Sequence, residues 1–227
     1  MSERGVIYIV WGRDDKTERA LERSRKSLKV IHPELPVEVF RLDVADPIKG
    51  LLEKSGMFKL SPFGDTLFLD ADTVVLGRLD FAFLKAREFG LACCIAPFPW
   101  AGRYNGIHGE TIEYNTGVLF FGERAKPVFE CWSRLAPQID SSLVVRSEGQ
   151  IVKMPYNDQC SFAAAIEETK FSPFILPLNW NLRPRYHRTF FGPVKIWHDY
   201  DELPPGFAEL REYYDQPGAI IQKHHLR

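Results

Sequence analysis

The sequence has no long hydrophobic run. Its longest stretch without a charged residue, residues 89–102, is shorter than the roughly 18 residues that a membrane span needs, and it contains Pro97 and Pro99. We therefore expect no transmembrane segment. The apolar segment 5–11 near the N-terminus has charged residues on both sides and no small-residue cleavage site after it, so we do not expect a secretory signal either.

Cysteine is scarce, and its spacing fits no metal or redox motif. The four cysteines include no C-x-x-C pair, and Cys93 and Cys94 lie side by side in an apolar run, where thiols commonly pack as small hydrophobic groups. Because stable disulfides are characteristic of oxidising compartments, this pattern favours reduced thiols and a cytoplasmic location.

An excess of charge of either sign is also missing. The 29 basic and 30 acidic residues give a net charge of −1 with the histidines neutral. This balance excludes the broad basic surface of a general nucleic-acid-binding protein, and it requires local cations for any anionic substrate. With 45% hydrophobic and 26% charged residues the chain is expected to fold around a core, and 227 residues suit one domain.

The sequence does contain an alternation of strand-like and helix-like segments. Apolar or alternating runs predict strands at 5–11, 37–42, 66–69, 91–96 and 115–121. Helical spacing predicts helices from about Thr17 to before Pro33, at 81–89, from Pro127 onward, and at 157–168 with Asn157 or Asp158 as N-cap. The predicted short extended pieces are 173–180 and 194–198, and a helix is predicted after Tyr200. This order indicates an α/β fold with a mainly parallel sheet.

Two carboxylates follow the predicted strand 66–69. Because strand side chains alternate with a period of two, Asp70 and Asp72 are expected to point to the same side, where they can share one cation. Ligands of open α/β sheets gather beyond the carboxyl ends of the strands, where this pair lies. A solvated turn with an Asx cap is the structural alternative for a D-x-D pair.

Five short blocks resemble nucleotide-sugar glycosyltransferases of the GT-A fold, and glycosyltransferase family eight in particular. The first is segment 61–79 (SPFGDTLFLDADTVVLGRL), which resembles the D-x-D region of these enzymes. The others follow in the family's order, as NTGV at 115–118, NDQ at 157–159, LPLNWN at 176–181 and KIWHD at 195–199. The resemblance implies a mixed, mainly parallel sheet flanked by helices. It also implies one catalytic domain, 1–227, with a nucleotide-binding half of about 1–110 and an acceptor and metal-completing half of about 111–227.

The resemblance also implies a function and a set of site residues. The function is transfer of a sugar from a nucleotide-diphosphate donor, UDP-linked by preference, with Mn²⁺ or Mg²⁺ bound by Asp70, Asp72 and His198. A cation between the phosphates stabilises the charge that develops on the leaving diphosphate. Asp158 and Gln159 correspond to the pair beside the anomeric carbon and imply retention, although Asp158 acting as a general base would allow inversion. The implied substrate-binding residues are Trp11, Lys59, Asp70, Asn115, Gly117, Trp180 and Asn181.

Several of these residues have a plain structural alternative. Trp11 ends the first strand, where a nucleotide base docks, and is equally suited to the core. Lys59 is equally suited to the solvated surface. Segment 97–109 is rich in glycine and aromatic residues, and we expect Trp100 and Tyr104 to line the site of an acceptor, which can be a glycan, a lipid-linked sugar or a protein; a packed loop is the alternative.

The chain departs from family eight after His198. Relatives carry glycine and a phosphate-binding lysine three and six positions after the histidine, where this sequence has Asp201 and Pro204. Either another cation substitutes, with Arg183, Arg185, Arg188, Lys195 and Lys223 as the candidates, or the chain belongs to a different branch.

Two other functions also fit parts of the sequence. A phosphatase resembling the haloacid dehalogenases would use Asp70 as nucleophile and Asp72 as general acid, but its motif normally lies on the first strand. A non-catalytic sugar-nucleotide-binding protein, or a nucleotidylyltransferase, would share the nucleotide-binding half. The nucleotidylyltransferase is disfavoured because the loop after the first strand contains a single glycine, Gly12.

Overall fold

The computed structural model describes residues 3–12, 14–97, 107–108, 110–147, 149–154, 156–205, 207 and 223–226. Its helices are α1 Asp15–Ile31, α2 Pro47–Lys54, α3 Met57–Leu60, α4 Asp80–Phe89, α5 Lys126–Leu135 and α6 Asp158–Thr169. Its strands are β1 Arg4–Trp11, β2 Val37–Leu42, β3 Asp65–Leu69, β4 Thr73–Val75, β5 Leu91–Ile95, β6 Tyr114–Gly122, β7 Leu143–Ser147, β8 Gln150–Met154, β9 Phe174–Ile175, β10 Thr189–Phe191, β11 Ile196–His198 and β12 Lys223–His225. None of these helices is long and apolar enough to cross a membrane.

The centre of the fold is a six-stranded sheet in the order β2-β1-β3-β6-β5-β9. Strand β1 is parallel to β2 and β3, and β5 is parallel to β9. Strand β6 is antiparallel to both of its neighbours, so it runs against the other five strands. The mixed, mainly parallel sheet flanked by helices is therefore confirmed. Its strands come from both predicted halves of the chain.

Successive residues of β1 face opposite sides of the sheet and belong to different hydrophobic clusters. Val6, Tyr8 and Val10 pack with α1 and α4, whereas Ile7 and Ile9 pack in a cluster that includes residues of α5 and α6. All five of these side chains are buried, which explains why the strand reads as a continuous apolar run. The sheet is covered by helices on both faces.

A short two-stranded ribbon carries part of the candidate site. Three residues separate β3 from strand β4, which pairs antiparallel with β11, with Thr73 opposite His198. Helix α1 packs against β4, where the Ser27 hydroxyl accepts a hydrogen bond from the backbone N–H of Val75 at 2.9 Å. The ribbon therefore brings the end of β11 to the end of β3.

The predicted strands 5–11, 37–42, 66–69, 91–96 and 115–121 and the four predicted helices before residue 170 are confirmed within one or two residues. Asn157 is the N-cap of α6, since its side chain accepts a hydrogen bond from the N–H of Gln159. The interpretation of 173–180 as extended is only partly right, because a two-residue strand is followed by a 3-10 helix at Leu178–Trp180. The helix predicted after Tyr200 falls mainly on 208–222, which lie outside the described residues.

Candidate functional site

A cavity of about 770 Å³ opens beyond the carboxyl ends of β1 and β3. Its volume is within the range of typical small-molecule sites. Its lining includes many of the residues predicted from the sequence, namely Trp11, Asp70, Asp72, Asn115, Gly117, Asp158, Gln159 and His198. The position matches the expectation for a ligand site in an open α/β sheet.

Asp70, Asp72 and His198 form a group that could hold a metal ion. Their ligand atoms all lie within 4.8 Å of one another. The Nε2 atom of His198 is 3.2 Å from Oδ1 of Asp72 and 3.8 Å from Oδ2 of Asp70. The backbone holds this arrangement, because Asp70 N–H donates to Gly117 O and Asp199 N–H donates to Asp72 O.

A chain of amide side chains fixes the orientation of His198. The backbone N–H of Gly117 donates to Oδ1 of Asn115 at 3.0 Å, so this atom is an oxygen. The second contact of that oxygen, at 2.7 Å, is therefore the Nδ2 donor of Asn181. This leaves Oδ1 of Asn181 to accept from Nδ1 of His198 at 2.8 Å. A backbone donor of known identity thus determines which ring nitrogen carries the proton in the neutral imidazole.

With its proton on Nδ1, neutral His198 turns the Nε2 lone pair toward the two carboxylates. Three acceptor atoms then face one point, and this point has to be filled by a cation or by a proton on Nε2. A histidine whose other nitrogen is oriented by a hydrogen bond is the usual arrangement in protein metal sites. The residues present therefore fit a divalent cation.

The charges around the two aspartates affect them differently. Burial by itself raises the pKa of Asp72, but the attraction and hydrogen bond of His198, together with the charge of the Arg183 guanidinium, outweigh it and lower this pKa to about 2. Burial raises the pKa of Asp70, and the attraction of Lys54 and His198 compensates only in part. Asp72 is therefore a carboxylate throughout the physiological range.

A buried lysine lies beneath the cavity. The side chain of Lys54, the last residue of α2, is 3% exposed, and its Nζ is 3.0 Å from Oδ1 of Asp70 and 3.1 Å from Oδ2 of Asp158. Burial by itself lowers the pKa of Lys54, but the carboxylates of Asp158 and Asp70 outweigh it and raise this pKa above its usual range. Lys54 is thus a fixed cation that holds two site carboxylates together.

Lys59, the lysine predicted from the sequence to contact the substrate, is exposed on α3 and does not line the cavity. The signal that could have identified Lys54 is its spacing. Pro47, Leu51 and Lys54 all line the cavity, and they follow one another at four and three residues, which is the period of one helix face.

Asp158 and Gln159 lie in the first turn of α6 and line the cavity together. Oδ2 of Asp158 accepts a hydrogen bond from the Thr116 hydroxyl at 2.8 Å, in addition to its ion pair with Lys54. Oε1 of Gln159 accepts from Nδ2 of Asn115 at 2.8 Å, and its Nε2 donates to Oδ1 of Asn157 at 3.1 Å. Both side chains are held in defined orientations.

Gly117 makes room for two side chains of the group formed by Asp70, Asp72 and His198. A Cβ atom at this position would be 2.3 Å from Cε1 of His198 and 2.5 Å from Oδ2 of Asp70. The sequence suggested that this glycine lets a ligand approach the backbone. In the structure, the space above it is occupied by His198 and Asp70 themselves.

The remaining predicted residues occupy different positions. Trp11 lines the cavity, and its ring lies against Gly50 of α2, where a Cβ would approach it to 2.3 Å. Trp180, predicted to contact the substrate, is buried in the core against Phe81 and Phe120 and does not line the cavity. Asn181 contacts site residues without lining the cavity. Trp100 and Tyr104 lie outside the described residues.

The fold has counterparts among solved structures, although no family model and no curated protein matches the chain by sequence. The fold is the GT-A fold of glycosyltransferases, similar to that of family eight. Mouse xyloside xylosyltransferase 1 matches with a TM-score of 0.56 and 13% identity over 86% of this chain and 97% of that one. Galactosyltransferase LgtC, in complex with donor and acceptor sugar analogues, matches with a TM-score of 0.54 and 15% identity over 93% and 96%. GlyE of Streptococcus pneumoniae TIGR4 matches with a TM-score of 0.57 and 15% identity over 94% of this chain and 60% of that one.

Proposed function

We propose that the chain is a metal-dependent glycosyltransferase that moves a sugar from a nucleotide-diphosphate donor, preferably UDP-linked, to an acceptor hydroxyl. One observation carries the proposal. In a GT-A fold, at the carboxyl end of β3, Asp70, Asp72 and Nε2 of His198 converge on one point in a cavity large enough for such a donor. The LgtC structure that holds donor and acceptor analogues supports the same reading of the fold.

The three converging residues would hold the metal, which we propose to be Mn²⁺, with Mg²⁺ as the alternative. When bound, it supplies stabilisation of the negative charge on the leaving diphosphate. The chain's own contribution is to keep its ligands in place. Asn181 orients His198, Lys54 fixes Asp70, and Gly117 leaves the space that both ligands occupy.

We propose that Asp158 and Gln159 face the sugar and act in catalysis with retention of the anomeric configuration. Lys54 and Thr116 hold the carboxylate of Asp158, and Asn115 and Asn157 hold the amide of Gln159, so both groups are ordered before a substrate arrives. Ordered groups of this kind lower the cost of reaching the transition state. NMR analysis of the product anomer distinguishes retention from inversion.

We propose that residues 1–227 form one catalytic domain. Trp11 would contact the base of the nucleotide, and Asn115 and Gly117 would lie near the donor sugar. The acceptor stays open between a glycan, a lipid-linked sugar and a protein, with Trp100 and Tyr104 proposed to contact it. A cytoplasmic location is supported by the four cysteines, which are buried free thiols. The structural matches are glycosyltransferases, so the phosphatase interpretation gains no support from the fold.

The direct experiment is a thermal-shift screen of UDP- and GDP-sugars with Mn²⁺. A ligand that binds only the native state at 100 times its dissociation constant stabilises it by about 2.7 kcal/mol, which raises the melting temperature of a protein of this size by several degrees. We expect one donor to produce this shift with Mn²⁺ and not with EDTA.

Two variants control the screen. Asp72→Asn removes one ligand charge at constant shape and should abolish the metal-dependent shift. Glu130→Gln makes the same chemical change at an exposed position of α5 and should preserve it. If no nucleotide-sugar shifts the wild-type protein, the proposed function is wrong. A shift without sugar transfer or donor hydrolysis would instead identify a non-catalytic binding protein.

A further inference from the structure

The segment after His198 is acidic and is tied to other parts of the protein. Residues 199–205 contain Asp199, Asp201 and Glu202 and no basic residue. The guanidinium of Arg23 in α1 donates to the backbone carbonyls of residues 199, 200 and 201 at 2.6–3.1 Å. The carboxylate of Asp199 accepts from Nε of Arg185 at 3.0 Å. This segment therefore supplies no positive charge to a bound anion.

The cavity itself is also rich in carboxylates. Four aspartates line it, at positions 14, 70, 72 and 158, whereas the lysines and arginines in its lining, among the described residues, are Lys54 and Arg183. Lys54 is already paired with Asp70 and Asp158. A bound diphosphate adds further negative charge. Among the described residues that line the cavity, Arg183 is then the basic side chain available to pair with the phosphates.

The other cations considered from the sequence occupy different surroundings. Arg185, Arg188, Lys195 and Lys223 are absent from the cavity lining. Arg185 is engaged by Asp199, and Lys223 lies on β12 opposite Phe191. Of the five candidate cations, Arg183 lines the cavity and the other four do not.

The backbone fixes Arg183 beside the metal-binding group. Leu182 N–H donates to Ile196 O, and His198 N–H donates to Leu182 O, both at 2.9 Å. Arg183 follows directly, and its charge acts on Asp72. Its guanidinium carbon lies 4.9 Å from the centre of the Tyr186 ring, and both residues line the cavity. Stacking uses the flat face of the guanidinium and leaves the N–H groups at its edge for an anion.

Resting on the proposed function, we propose that Arg183 binds the diphosphate of the donor, next to the cation held by Asp70, Asp72 and His198. The planar guanidinium can donate two parallel hydrogen bonds to phosphate oxygens, and Tyr186 limits its rotation. The contact is non-covalent and involves no proton transfer, because arginine stays protonated.

The test compares binding of a nucleoside diphosphate with binding of the same nucleoside without phosphates. Titration calorimetry with UDP and Mn²⁺, and with GDP in parallel, is set against titration with uridine and guanosine. Arg183→Gln should weaken diphosphate binding about 10- to 100-fold, the range for removal of charge-assisted hydrogen bonds, and leave nucleoside binding unchanged. The diphosphate affinity of Arg183→Lys should lie between those of the wild type and Arg183→Gln, since lysine keeps the charge and loses the bidentate contact.

Arg188→Gln is the matched control, because Arg188 is an exposed arginine of the same segment that does not line the cavity. It should bind UDP as the wild type does. Unchanged diphosphate affinity in Arg183→Gln, or an equal loss for diphosphate and nucleoside, overturns the proposal. If Arg183→Gln fails to fold, the same comparison is decided by Arg183→Lys. If the wild-type protein binds neither UDP nor GDP with Mn²⁺, the proposed function itself is wrong. Failure of the proposed function is thus distinguishable from failure of the role proposed for Arg183.

Discussion

His198 illustrates how a site can be determined by hydrogen bonds that lie behind it. The backbone N–H of Gly117 sets the orientation of the Asn115 amide, which sets that of the Asn181 amide. The Asn181 oxygen in turn accepts from Nδ1 of His198. The outcome is an unprotonated Nε2 on the cavity side of the neutral ring. The chain of hydrogen bonds also ends on a backbone donor at its far side, because Gln159 N–H donates to Oδ1 of Asn157. The orientation of every amide in this chain is therefore consistent.

We predict that Asn181→Leu lowers the affinity for Mn²⁺ about 10- to 100-fold, the usual effect of removing a group that orients a metal-binding histidine. Leucine cannot accept the Nδ1 proton, so the imidazole loses its preferred tautomer. Asn181→Asp keeps an acceptor at the same place and should retain the affinity. Calorimetric titration of Mn²⁺ into the protein without nucleotide measures both. Equal weakening in the two variants would show that the tautomer is not the cause.

At the scale of elements, helix α1 and ribbon strand β4 are joined by buried hydroxyl groups. The Ser24 hydroxyl lies 2.9 Å from both the Tyr8 hydroxyl and the Thr73 hydroxyl, and Thr73 donates to the carbonyl of Asp70. Ser24 and Thr73 are fully buried, as is Tyr8. This hydrogen-bond chain connects the central sheet, the first helix and the turn that carries the two aspartates.

We predict that Ser24→Ala lowers the free energy of unfolding by about 1–3 kcal/mol, because the buried hydroxyl of Tyr8 loses its partner. Tyr8→Phe in the Ser24→Ala background should cost less than Tyr8→Phe alone, since the unsatisfied hydroxyl is then removed as well. Urea unfolding of the wild type, the two single variants and the double variant gives the four free energies of unfolding needed for this double-mutant cycle. Strictly additive losses would contradict the coupling.

The elements that could be predicted are those whose burial leaves a clear pattern in the sequence. Strand β6 is buried at all nine residues and contains the apolar run 118–121, and α1 shows a regular apolar face. The β7–β8 hairpin was missed, because Val144 and Ile151 are exposed on it and no core periodicity marks the segment. Helices α2 and α3 were missed because they are short, with eight and four residues.

The same reasoning explains which site residues were found. Asp70, Asp72, Asn115 and His198 lie in or directly after strands of the sheet and ribbon, so a sequence motif next to an apolar run located them. Lys54 belongs to α2, and with that helix missed there was no reason to choose it over Lys59. Asn181 was identified by its motif, but its contact with His198 depends on the tertiary pairing of Leu182 with β11.

At the scale of the whole molecule, the two largest hydrophobic clusters lie on opposite faces of the central sheet, and a third packs around Trp197. Trp132 of α5 is fully buried in one of them, contacts the rings of Phe129 and Phe162, and donates its indole N–H to Ser161 at 2.9 Å. It does not line the cavity.

We predict that Trp132→Ala lowers the free energy of unfolding by about 3–5 kcal/mol, through lost burial and the cavity that remains. Val144→Ala, at a side chain that is 64% exposed, should change it by less than about 0.5 kcal/mol. Denaturant unfolding followed by circular dichroism measures both. A small effect of Trp132→Ala would mean that the surrounding side chains close the space.

The ribbon that delivers His198 also makes a bound cation a cross-link. Asp72 and His198 are far apart in the sequence, so one ion coordinated by both closes a long loop of the chain. Closing a loop lowers the conformational entropy of the chain by an amount that grows slowly with loop length. An unfolded chain has no preformed ion site, so binding of the ion and closure of this loop are coupled. Removal of a bound ion would leave β11 attached to the turn after β3 by backbone hydrogen bonds alone, and we expect opening of the ion-free protein to begin there.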